Sequence, residues 1–179
     1  MANKQFSVQI PTSPYMAKFL AKRYGNPVPI NNKNLLGTTL ISLMEKPGFH
    51  VQMKPNDKQL YFYKQFTTKL QSVAPLSLMK DYNYNLTIDQ VIQMNRFFDN
   101  YFEQILYIFC AAKINRNQRH VGYDDAIFEF ADIHEIAIGQ DVSFDCLKKN
   151  EYRYRKNLEK KLFGELSPQN KRNNPLLFV

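Results

Sequence analysis

The chain has 179 residues, 44% of them apolar and 22% charged, with 24 Lys and Arg against 16 Asp and Glu for a formal charge of +8. That apolar share excludes a disordered tail, and six Gly with nine Pro exclude a collagen-like or low-complexity chain. The strongest apolar run, Ile105 to Ala112, falls well short of the roughly 20 residues that cross a bilayer, and Met1 to Gln5 leads into an alternating segment without the apolar core of a secretory signal. A cytoplasmic protein with no membrane partner is expected.

Phe6-Ser7-Val8-Gln9-Ile10 alternates with period two and predicts a half-buried strand that Pro11 stops. Ser13 and Pro14 then supply a cap and a first-turn proline for a helix that turns Tyr15, Phe19, Leu20 and Tyr24 inward and closes at Gly25-Asn26-Pro27. A second helix spans Lys33 to Glu45, with Leu36, Leu40, Leu43 and Met44 inward, Leu35 and Ile41 widening that face, and Pro47-Gly48 beyond it. The period then changes: Phe49 to Met53 and Leu60 to Tyr63 read as two strands of a hairpin around Lys54-Pro55-Asn56-Asp57-Lys58, and Phe66 to Asp81 adds one or two strands to the same sheet.

Thr87 and Gln90 form a capping box that opens a long helix. Val91, Met94, Phe98, Tyr101, Phe102, Ile105, Phe109 and Ala112 make its stripe, and Phe97, Leu106 and Ile108 widen it, as in a central helix or one at an oligomer interface. It runs out in the basic stretch Lys113 to His120. Asp124 or Asp125 caps the next helix, whose buried face is Ala126, Ile127, Phe130, Ile133 and Ile136. Ala137 to Val142 makes a turn, and Ser143 caps a last helix from Phe144 to about Phe163 whose stripe, Phe144, Leu147, Tyr154, Leu158 and Leu162, docks on the preceding helix.

The expected fold is α+β. An N-terminal strand, two helices and a β-hairpin occupy residues 1–82, an order that also resembles a winged helix with Lys54 and Lys58 at the wing tip. The long helix and a helix-turn-helix occupy 83–163, and an extended tail occupies 164–179. Cys110 and Cys146 have no Cys-x-x-Cys spacing and no nearby His, so both read as buried, reduced thiols.

Charge is concentrated. From Lys148 to Lys161 seven Lys and Arg face two Glu, which is +5 of the total +8, whereas Asp124 to Asp145 holds seven carboxylates and no Lys or Arg. An acidic helix, a turn and a basic helix with Tyr and Asn interleaved suit a helix-turn-helix whose second helix enters a major groove. Arg there pairs with guanine and Asn with adenine, while Lys and Tyr hold phosphates. The contact set is Lys148, Lys149, Tyr152, Arg153, Arg155, Lys156, Asn157 and Lys160. The plainer alternative is a solvated face paired with its acidic neighbour. A second functional class is assembly, with the apolar long helix and the tail residues Leu176, Leu177, Phe178 and Val179 docking on other subunits.

The segment Asp125 to Lys156, above all Val142-Ser143-Phe144-Asp145-Cys146-Leu147-Lys148-Lys149 with Tyr152-Arg153-Tyr154-Arg155-Lys156, resembles the small helix-turn-helix proteins of Bacteroidetes bacteriophages and mobile elements. The resemblance implies a DNA-binding accessory or regulatory protein of a phage, or a structural or packaged virion protein.

Catalytic motifs do not accompany it. His134-Glu135 has no second His at zincin spacing, and His50, His120 and His134 are scattered. No glycine-rich phosphate loop or nucleophile elbow is present. Asp125, Glu129 and Asp132 could be drawn as a nuclease magnesium site, but their spacing is equally that of a polar helix face, and Tyr152 with Arg153 lacks the His of a strand-transfer site. No enzyme, cofactor, metal or small-molecule substrate is expected.

Overall fold

The computed structural model describes residues 7–31, 33–44, 66–72, 86–116 and 122–163. The first strand, β1 (Ser7–Thr12), turns Val8, Ile10 and Thr12 inward, as the alternation predicts. It does not stop at Pro11. β1 is an edge strand of a three-stranded sheet, in which a proline without an N–H is tolerated, and the Pro11 carbonyl accepts a hydrogen bond from Asn95 Nδ2 at 2.9 Å.

Helix α1 (Pro14–Tyr24) begins after Ser13 and ends at Gly25, whose φ of 97° is the left-handed geometry that favours glycine there. Strand β2 (Val28–Ile30) follows at once. It was not expected, because three residues with a proline in the middle give no readable period. Helix α2 (Leu35–Met44) is capped by Asn34, whose Oδ1 accepts the Gly37 N–H at 2.7 Å. Leu36 and Leu40 are buried, but Leu35 is 58% exposed and does not widen the inner face.

Strand β3 (Phe66–Ser72) is the middle of the sheet, antiparallel to β1 with Val8 opposite Leu70, and parallel to β2 with Val28 opposite Leu70. The Thr12 and Thr68 hydroxyls meet at 2.9 Å in the interior and satisfy one another. β3 lies in the segment expected to extend the sheet. The hairpin of residues 49–63, its winged-helix tip at Lys54 and Lys58, and the tail with Leu176, Leu177, Phe178 and Val179 lie outside the described residues.

Helix α3 (Ile88–Arg116) opens with the capping box as expected: the Thr87 N–H donates to Gln90 Oε1 at 2.8 Å, and the Gln90 N–H to Thr87 Oγ1 at 3.3 Å. Met94, Phe98, Phe102, Leu106 and Cys110 are all buried in one row of fourth residues. Such a row winds slowly around a helix, so its two ends meet different neighbours. The first half holds Pro11 through Asn95 and the end of α2 through Gln90, which donates to the Leu43 carbonyl. The second half meets the remaining helices. Ile108 and Ala112, expected inside, are exposed on the opposite side.

Helix α4 (Tyr123–Ile133) is capped by Gly122, not by Asp124 or Asp125. Asp125 sits in the first turn and reaches back to accept the Gly122 N–H at 3.2 Å. Ala126, Ile127 and Phe130 are buried as expected, whereas Ile133 is 44% exposed and the buried Ile136 lies beyond the helix. Helix α5 (Phe144–Phe163) starts where predicted, with Ser143 Oγ accepting the Cys146 N–H at 3.2 Å. It leans chiefly on α3, not on the preceding helix. Tyr154 meets Tyr107 with ring centroids 5.4 Å apart. Leu162, although in line with the apolar stripe, is 65% exposed because it lies past what α5 packs against.

The architecture is mixed α+β and mostly helical. One core runs from Val8 and Ile10 through Phe19, Phe102 and Phe130 to Leu147, with the Phe19 and Phe102 rings edge-on at 5.0 Å.

Candidate nucleic-acid interface

The connector between α4 and α5, residues 134–143, is longer than the three or four residues of the DNA-binding motif, and it is well built. His134 closes α4 with Nδ1–H donating to the Phe130 carbonyl at 2.9 Å, its ring against Phe130 and Phe19. Burial pushes that imidazole below its ordinary range. Glu135 takes a left-handed φ of 57°, and Asp141 Oδ2 accepts the Ala137 N–H at 2.7 Å. This stiff link fixes the direction of α5.

On α5, the side chains of Lys148, Lys149, Tyr152, Arg153, Lys156, Asn157, Lys160 and Lys161 are all exposed. They form two adjacent rows, 148-152-156-160 and 149-153-157-161, along about 20 Å of helix at 1.5 Å per residue. Beyond Glu151 none of the described side chains of α5 is buried. The basic half of the helix therefore presents itself outward from the core.

The acidic neighbour does not neutralise it. Glu129 pairs with Lys113 of α3, Glu135 with Lys22 of α1, and Asp141 with Lys18 of α1 at 2.5 Å. Between α4 and α5 the described residues show one ion pair, Lys148 with Asp124 at 2.9 Å. Within α5, Lys156 meets Glu159 at 2.9 Å. Exposed pairs of this kind are weak and screened by solvent, so an incoming phosphate can compete for these lysines.

Arg155 differs from the other expected contacts. Its guanidinium lies over the Tyr123 ring at 4.8 Å and the Tyr152 ring at 5.5 Å, and its Nε stands 3.2 Å from Glu151 Oε1. The Glu151 side chain is only 2% exposed, and burial raises its carboxyl, which Arg155 pulls back down. The two atoms are close enough for an ion pair, but their alignment makes no hydrogen bond. Tyr123, Asp124, Asp145, Lys148, Lys149, Glu151, Tyr152 and Arg155 line an open groove of about 470 Å³. Tyr123 and Glu151 were missed from sequence; the one available signal was Glu151 four residues before Arg155.

Arg153 faces solvent near a second acidic group. Burial raises the Asp99 carboxyl on α3 to about 6 even though the Tyr15 hydroxyl donates to Oδ1 at 3.3 Å. Burial also lifts Glu103, Asp99 adds to the effect, and Arg153 opposes it. Asp125, Glu129 and Asp132 do not converge, since the first reaches back to the Gly122 N–H and the second pairs with Lys113. Among the described residues no group of His, Cys, Asp and Glu could hold a metal ion. Cys110 is buried, its thiol pushed up to about 12, while Cys146 is only half-buried.

These features define a small α+β, mostly helical protein with one outward basic helix, and no described helix is long and apolar enough to cross a membrane. No family model, curated protein or solved structure matches the chain.

Proposed function

We propose that this chain is a non-catalytic DNA-binding protein, acting in the cytoplasm of a host cell, that grips the duplex with the exposed rows of α5. The observation that carries the reading is that Lys148, Lys149, Arg153, Lys156 and Lys160 share one outward surface with Tyr152 and Asn157, while Glu129, Glu135 and Asp141 of α4 and its connector are paired with α1 and α3. A cationic helix face of this kind supplies the sequence-independent electrostatic attraction on which non-specific binding rests. In the helix-turn-helix version of the reading, α5 is the recognition helix, α4 lies across the backbone, and Asn157 and Arg153 reach base edges. Phage or mobile-element origin rests on the resemblance of residues 142–149 and 152–156. Arg155 is assigned a positioning role, since it holds Tyr152 and Glu151 from within.

The test is a fluorescence-anisotropy titration of the full chain with duplex DNA across a salt series. If about five cations meet phosphates, log K falls against log salt with a slope of roughly −4 to −5. The Lys149→Glu, Arg153→Glu, Lys156→Glu triple variant is expected to abolish binding with its fold intact, because all three side chains are exposed. No binding by the wild type at low salt, or an unaffected triple variant, ends the proposal.

A further inference from the structure

We infer that the groove between the start of α4 and the first half of α5 receives an unpaired, amine-bearing base of a DNA strand, cytosine or adenine, so that the protein also holds single-stranded DNA. The inference rests on the DNA-binding reading and adds a second ligand form to it. The groove's charge pattern is mixed: Lys148 and Lys149 stand beside Asp124, Asp145 and Glu151. A phosphate alone would meet three carboxylates at close range. A ligand that is anionic at one end and rich in N–H donors at the other fits both parts, and a nucleotide with an exocyclic amine is such a ligand.

Two further observations point the same way. Tyr152 is 49% exposed and offers its ring where a base could stack, and Tyr123 provides a second ring in the same groove. Behind them Glu151 Oε1 and Arg155 Nε, both buried, are left without a hydrogen bond. They are an acceptor beside a donor. The pairing edges of cytosine and adenine both present the complement, an amine that donates next to a ring nitrogen that accepts, and carboxylates take up that amine. Arg155, whose side chain is 32% exposed and lines the groove, must rotate off Glu151 to admit the edge. Thymine puts carbonyl oxygens where the carboxylates lie, and is disfavoured. In a duplex these edges are already paired, so the site serves a single strand.

The experiment compares binding of the full chain to oligo(dC) and oligo(dT) of about 12 nucleotides and to duplex DNA at neutral pH. The expected result is at least tenfold tighter binding of oligo(dC) than oligo(dT), and a Tyr152→Ala loss of about tenfold or more for oligo(dC) that is several-fold larger than its loss for the duplex. Glu151→Gln is expected to erase the preference for dC over dT. Equal binding of the two oligonucleotides, or a Tyr152→Ala effect shared equally by duplex and single strand, overturns the inference and leaves the duplex reading standing. Failure to bind any of the three DNAs overturns both.

Discussion

Asp99 stands in the first half of α3, partly buried, and accepts a hydrogen bond from the Tyr15 hydroxyl. Its carboxyl titrates at about 6 in the fold against 3.8 for the free group. A carboxyl raised in this way stabilises the fold fully below pH 3.8, and that contribution is lost as pH rises through 6, because the folded state alone still binds the proton in between. About two pH units at 1.36 kcal/mol each give a loss of about 3 kcal/mol by pH 8. Asn in place of Asp keeps an oxygen that accepts from Tyr15 and has no charge to desolvate. Urea unfolding of wild type and Asp99→Asn from pH 4 to pH 8 is therefore expected to show nearly equal stability at the acid end, and a variant more stable by about 3 kcal/mol at the alkaline end. Glu103, Arg153, Lys149 and Cys146 also feel this region, and the difference between the two proteins cancels most of what they contribute. A variant equally stable at every pH, or less stable at pH 8, refutes the reasoning.

Gly37 lies against Asn31, where an added Cβ would fall on the backbone carbonyl oxygen; Gly37→Ala is expected to cost about 1 to 3 kcal/mol in denaturant unfolding. His134 is held neutral by burial, so its contribution to stability is present above pH 6.5 and lost as pH falls below it. His134→Phe keeps the ring against Phe130 and Phe19 and should remove that part of the acid sensitivity, read as the difference between the two unfolding curves from pH 7 to pH 5. Glu135 has a positive φ that disfavours most side chains, and its partner Lys22 is itself exposed. Glu135→Asn, a residue that tolerates this geometry, is expected to raise the melting temperature.

The elements with strong local chemistry were legible in the sequence. The Thr87–Gln90 box, Gly25 after α1 and Ser143 before α5 each depend on side chains within a few residues, and all stand where expected. Features set by tertiary context were not. The three residues of β2 form a strand only because Leu70 and its neighbours in β3 lie alongside. Leu162 follows the apolar spacing, yet nothing in the spacing says where the body of the protein ends. At the candidate interface the exposed cations of α5 could be read from spacing, but the partners of the acidic residues could not. Those partners come from α1 and α3, more than a hundred residues away for Lys18 and Asp141. Glu151 counted in the sequence as one of two acids on a basic helix, and only the fold shows that it is buried under Arg155.

Among the described side chains of the last turns of α5 none is fully buried, so these turns lean heavily on their own backbone bonds and local pairs such as Lys156 with Glu159. Short stretches of helix in that position are marginal in water. Their fraying couples to ligand: a polyanion that neutralises crowded lysines favours the wound form, and helix-breaking changes at the far end weaken capture without touching a contact residue. Amide exchange along α5 would then slow progressively toward Phe163 as DNA is added, making the helix a gauge of its own occupancy.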